Sequence, residues 1–144
     1  MPEKDQGLNM PDDELKYLEF LQAAISRMAS NSFVVKAWSV ALGTAVLGFS
    51  VKESNRTLAL VAVLPVICFW LLDAYYLALE KSFRDLWEKA VAGTAEKFNM
   101  KVRRPGPKAW WGAAWRPAVW LVHLPVFISS LLAALILFLV HTPK

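Results

Sequence analysis

The stretch PAVWLVHLPVFISSLLAALILFLV, Pro117 to Val140, decides the fold class, because it holds no Asp, Glu, Lys or Arg. A hydrocarbon core roughly 30 Å thick takes about 20 residues at a rise of about 1.5 Å each, and this stretch is long enough to cross one. Two further apolar blocks precede it. Phe33 to Ser50 is interrupted only by Lys36, and Thr57 to Leu79 only by Asp73. A core helix of a soluble domain must be covered by apolar stripes from other elements, and the roughly 80 residues outside the blocks, rich in charge, proline and glycine, supply too few.

The expected architecture is therefore all-α: an integral membrane protein with helices at 33–50, 57–79 and 117–140. To these the sequence adds an amphipathic N-terminal helix within 1–32 and an extension of the second membrane helix into 80–116. A short loop, 51–56, and a tail, 141–144, complete the expected organisation. Composition alone is less informative, since 56% hydrophobic and 19% charged residues in 144 also suit a soluble domain. Met1 to Asp13 carries Glu3, Asp5, Asp12 and Asp13 instead of a basic start and an apolar run, so no cleaved signal is expected and the first span should stay in the mature chain. Cys68 is the sole cysteine and lies in the second block, so no intrachain disulfide is possible and a packing role is expected.

The basic residues are unevenly shared between the segments. Lys4, Lys16 and Arg27 precede the first block, nine stand between Glu80 and Arg116, and only Lys52, Arg56 and Lys144 fall on the other side. The bias of Lys and Arg toward the cytoplasmic side then places the N-terminus and the long second connector in the cytoplasm, with the short loop and the C-terminal tail external.

Pro11-Asp12-Asp13-Glu14 suits a helix start, since proline fits the first turn and carboxylates complement the helix dipole. Leu18, Leu21, Ile25 and Met28 then form an apolar stripe at helical spacing. The stripe fits either the membrane surface or another helix. Ser30-Asn31-Ser32 reads as capping and turn chemistry, which predicts a bend or break before Phe33. In the first membrane helix Ala37, Ala41, Thr44, Ala45 and Gly48 make a face on which a second backbone can approach closely in lipid; the partner could be a helix of the same chain or of another copy.

Pro65 should bend the second membrane helix, and the apolar spacing of Phe83, Leu86, Trp87 and Ala90 extends it. One helix from Thr57 to Ala92, about 54 Å long, is expected, with Gly93 as its terminator. Lys97 to Lys108 should be an irregular basic connector around Pro105-Gly106-Pro107. Lys101, Arg103, Arg104 and Lys108 have no aromatic residues between them, so anionic lipid head groups suit the tract better than nucleic acid. Trp110, Trp111, Trp115 and Arg116 follow, residues that settle at the head-group boundary, so this segment should skim the membrane face.

Ionisable residues inside apolar blocks are the strongest functional signal. By helical rise Lys36 lies about 4 to 5 Å, and Asp73 and His123 about 9 Å, from the cytoplasmic ends of their helices. An unpaired charge in hydrocarbon costs at least about 2.5 kcal/mol at midplane, so such groups pair or face protein. A Lys36–Asp73 ion pair with His123 close by is expected, although the long stem of Lys36 could also reach the head groups. Tyr76 follows Asp73 on roughly the same face and could donate its hydroxyl to the carboxylate. Pro125 frees the Leu121 carbonyl, and Ser129-Ser130 are polar at mid-membrane; packing is the plainer reading of both. His123 and Ser130 are seven apart, but no glycine-flanked serine, oxyanion hole or His-x-x-x-His spacing accompanies them. No enzymatic activity, cofactor or metal is expected.

Leu15-Lys16-Tyr17-Leu18-Glu19-Phe20, Arg27-Met28, Asn31-Ser32-Phe33, Lys36-Ala37-Trp38, Phe69-Trp70-Leu71-Leu72-Asp73-Ala74-Tyr75-Tyr76 and Phe83-Arg84 resemble small bacterial multi-pass membrane proteins, mostly uncharacterised, some associated with anti-phage defence neighbourhoods. The resemblance covers about residues 15 to 85 and implies a bacterial inner membrane. Three spans make a thin bundle, so a homo-oligomer is expected. The leading functional expectation is a channel or pore-like effector serving stress or phage defence, with Asp73, Lys36 and His123 at a cytoplasmic-side constriction or holding subunits together. The alternative is a non-conducting scaffold that recruits a cytoplasmic protein partner through Glu80 to Phe98 and the N-terminal helix.

Overall fold

A computed structural model describes residues 11–140, without the side chain of Arg56; the expected external tail and the first ten residues lie outside the described residues. The described chain is helical throughout its regular structure: α1 Asp12–Lys52, α2 Arg56–Val61, α3 Val63–Val91, α4 Pro107–Ala114 and α5 Pro117–Val140. α1, the stretch Thr57–Val91 and α5 are each long and apolar enough to cross a membrane, which indicates a membrane location.

α1 runs unbroken over 41 residues, about 62 Å. Asp12, Asp13 and Glu14 sit in its first turn and Lys52 in its last, each matched to the helix dipole. The bend expected at Ser30-Asn31-Ser32 is absent. Ser and Asn cost only a few tenths of a kcal/mol inside a helix, and no proline stands nearby to remove a backbone bond. The Ser32 hydroxyl bonds the Asp73 carboxylate on another helix, which takes away the local cap that would have favoured a break.

The turn out of α1 is shorter than the expected loop. Ser54 takes a left-handed φ of 49°, Ser50 Oγ donates to the Asn55 carbonyl at 3.0 Å, and the Asn55 side chain caps α2 by accepting from the amides of Thr57 and Leu58. The expected helix from Thr57 to Ala92 is present as the 35-residue stretch Thr57–Val91, with one weak point at Ala62, where α2 passes into α3 with the backbone still helical at φ −59° and ψ −26°. Pro65 is the cause: it has no N–H for the Val61 carbonyl, so the ladder loses a bond where α2 ends. α3 stops in a Schellman motif, with Gly93 at φ 69° and the amides of Gly93 and Thr94 bonded to the carbonyls of Ala90 and Lys89.

α1 packs chiefly against α3, and α5 closes against both. The connector from Ala92 to Gly106 folds back on α1: Tyr17 donates to the Asn99 carbonyl at 2.7 Å, and its ring meets Phe98 edge to face. The segment expected to be irregular up to Lys108 turns helical at Pro107, which fills the first position of α4 with its φ already set. α4 lies on α3, where Ala113 and Ala114 pack against Ala74 and Ala78. Two indoles pin it there. Trp110 Nε1 donates to the Leu71 carbonyl at 2.8 Å and Trp70 Nε1 to that of Ala114 at 2.9 Å.

Candidate functional site

The bundle buries a polar cluster drawn from three helices. On α1, Ser32, Lys36 and Ser39 follow one another at spacings of four and three, which lines them up on one face. Asp73 comes from α3 and His123 from α5. Asp73 Oδ1 accepts from Lys36 Nζ at 2.7 Å and from the Ser32 hydroxyl, while Oδ2 lies 3.1 Å from His123 Nε2. The other ring nitrogen, Nδ1, is 2.8 Å from Ser39 Oγ. The Lys36 ammonium also donates to Ser32 Oγ at 2.7 Å. Trp70 lies nearly parallel to the imidazole, 6.1 Å between centroids, and covers it.

Burial makes the matching of these groups obligatory. Asp73, His123 and Ser39 are 0% exposed, and the Lys36 side chain is 19% exposed. An uncompensated charge in such a place costs several kcal/mol, whereas the ammonium and carboxylate here cancel. No buried side-chain nitrogen or oxygen among the described residues is left without a partner. A carboxylate only accepts, so His123 must present a proton on Nε2; in a neutral ring Nδ1 then accepts from the Ser39 hydroxyl. Ser39, His123 and Asp73 thus stand in hydroxyl–imidazole–carboxylate order. The hydroxyl is sealed inside the bundle, and the hydrogen bonds tie α1, α3 and α5 together as a three-helix clamp.

The other residues singled out from the sequence fall elsewhere. Tyr76 is absent from the carboxylate's partners and instead meets Tyr75 edge to face at 6.1 Å. Ser130 donates to its own helix at the Val126 carbonyl, and Ser129 is exposed. Ala37, Ala41, Thr44, Ala45 and Gly48 are all exposed and turned away from the rest of the chain. The face α1 uses internally is Ser32, Val35, Ser39, Gly43 and Ser50, about 180° round the helix at 100° per residue. Lys101, Arg103, Arg104, Lys108, Trp110, Trp111, Trp115 and Arg116 are exposed.

No protein-family model, curated protein or solved structure matches this chain. Its function has to be read from its own chemistry.

Sequence reasoning missed Ser32 and Ser39. The signal was present: Ser32, Lys36, Ser39 and Gly43 repeat at spacings of four, three and four, which places small and polar groups on one face beside the intramembrane lysine. Read along the chain, Ser32 suits a cap instead. Ser39 lies outside the small-residue stripe on the opposite face.

Proposed function

We propose that the protein is the protomer of a homo-oligomeric channel or pore-like effector of the bacterial inner membrane, acting in stress or phage defence. The observation that carries this reading is the outward face of α1. Ala37, Ala41, Thr44, Ala45 and Gly48 are exposed, and a Cβ added at Gly48 would meet nothing within 4 Å. In lipid a strip of small residues adds little packing of its own but lets another helix approach closely, so it favours association between copies. The buried polar cluster stiffens each protomer, and association along this strip would arrange protomers around a conducting path. The effector role is motivated by the resemblance of residues 15 to 85 to small bacterial multi-pass membrane proteins, some of them associated with defence neighbourhoods.

In this reading the N-terminus and residues 80–116 are cytoplasmic and the C-terminus is external. The first part of α1 and the last part of α3 project beyond the bilayer. Burial of Tyr17, Leu21, Ala24 and Ile25 beside exposed Lys16, Glu19 and Arg27 supports an amphipathic segment that packs on its neighbour. The exposed Lys101, Arg103, Arg104 and Lys108 meet anionic head groups, with Trp111, Trp115 and Arg116 at the boundary.

The purified chain in detergent should have an oligomeric mass and pass current in planar bilayers. Joint Ala41→Leu and Gly48→Leu substitution should yield a folded monomer that is electrically silent. A wild-type chain that is monomeric and silent would sink the reading.

A scaffold that recruits a cytoplasmic protein is the second reading, favoured by one observation. Leu15, Phe20, Phe98 and Met100 are 45%, 63%, 56% and 39% exposed at the end assigned here to the cytoplasm, where no lipid covers them. Silent bilayers, together with a co-purifying protein lost on Phe20→Ser, would favour it.

A further inference from the structure

An apolar cleft opens between α3, α4 and α5: its lining includes Ile67, Trp70, Trp111, Trp115, Leu124 and Phe127. Its volume of about 450 Å³ lies within the roughly 300–1,000 Å³ of small-molecule sites. Two of its walls are tied to each other: Trp70 donates to the Ala114 carbonyl, and Trp115 meets Trp70 edge to face at 5.8 Å. Trp111 and Trp115 are 61% and 55% exposed, so the mouth is open beneath α4.

A basic side chain lies on the same helix as one of the cleft's indoles. Lys108 and Trp111 are three residues apart on α4, which puts the ammonium-bearing side chain on the same face as that indole, and Trp115 is the residue on which the helix ends. Lys108 is exposed, and with Lys101, Arg103 and Arg104 it enters no ion pair among the described residues. An apolar slot lined by exposed tryptophans, with the exposed Lys108 on the same face of α4 as Trp111, complements a molecule with an anionic head and a hydrocarbon tail.

We propose that this cleft holds one anionic glycerophospholipid of the cytoplasmic leaflet, an acyl chain between Trp70, Trp111, Trp115, Leu124 and Phe127 and the phosphate beside Lys108. The inference rests on the membrane placement proposed above and is independent of whether the chain conducts. Trp70 borders the cleft and covers His123, so the bound lipid abuts the residue that shields the buried polar cluster.

The test uses the full chain in detergent, incubated with an equimolar mixture of phosphatidylglycerol and phosphatidylcholine of identical acyl chains, then washed and weighed by native mass spectrometry. A single phosphatidylglycerol should be retained in preference. Leu124→Trp fills the cleft and should abolish that retention, and Ile67→Trp, which blocks the slot from α3, carries the same expectation if the first variant does not fold. Lys108→Gln should keep the lipid but lower the preference for phosphatidylglycerol about fivefold. Equal retention of the two lipids by the wild type, or retention unchanged in a folded cleft-filling variant, overturns the proposal while leaving the membrane placement intact. A chain that is monodisperse in water without any amphiphile overturns the placement itself.

Discussion

Val126 of α5 closes over Gly43 of α1 so tightly that a Cβ at Gly43 would lie 2.5 Å from Val126 Cγ1, and 3.2 Å from Val66 Cγ2 on α3. Three helices converge at this glycine. Glycine costs a helix interior about 1 kcal/mol relative to alanine, so its use here reflects the close approach.

Gly43→Ala should accordingly destabilise the protein by about 1–3 kcal/mol, the usual cost of overpacking, despite the better helix propensity of alanine. Val126→Ala in the same chain should recover most of the loss. Thermal unfolding of the detergent-solubilised single and double variants measures both, and a Gly43→Ala chain at least as stable as the wild type would show that the helices have room to part.

Asp73 is the only anion in the buried cluster, and Lys36 lies 2.7 Å from it. Asp73→Asn keeps an acceptor for His123 but strands the ammonium, and should cost about 3–5 kcal/mol. Lys36→Met added to Asp73→Asn removes the stranded charge and should restore part of that stability. Unfolding in graded SDS gives the comparison; a double variant as weak as the sum of its singles would argue against charge matching as the source of the effect.

His123 should be found as the Nε2–H tautomer, because the carboxylate at Nε2 only accepts and the Ser39 hydroxyl can donate to Nδ1. Nitrogen-15 shifts of selectively labelled histidine report this directly, with His141 serving as the second resonance. Ser39→Ala leaves the buried Nδ1 without its partner and should cost about 1–3 kcal/mol. An Nδ1–H signal from His123 in the wild type would contradict the arrangement.

At the opposite end of the bundle from the α1–α2 turn, Gly93 has φ 69° with open space around its Cα, so backbone strain is the only obstacle to a side chain. Gly93→Ala should cost about 1 kcal/mol and loosen the end of α3, whereas Gly93→Asn, which tolerates the left-handed region, should cost less. Limited proteolysis between Ala92 and Gly106 should rank the chains wild type, Asn, Ala from most to least resistant. Equal cleavage of all three would mean that the Schellman turn does not control the connector.

Much of the architecture could be read along the chain because hydropathy is a property of consecutive residues. The blank of formal charge from Pro117 to Val140 needs no partner to be recognised, nor does the αL requirement met by Gly93. The positions of Lys36, Asp73 and His123 at similar helical depth were legible for the same reason, since a rise of about 1.5 Å per residue converts number into height. What could not be read was rotation. α1 has two small-residue faces about 180° apart, and both satisfy the steric condition for close packing. Ser32 and Ser39 are adjacent to nothing distinctive in sequence; their partners lie 41 and 84 residues away on other helices. The tertiary structure chose the face because only there do hydroxyls and an ammonium meet the carboxylate of Asp73 and the imidazole of His123, and a buried polar group is stable only where another helix completes its hydrogen bonds.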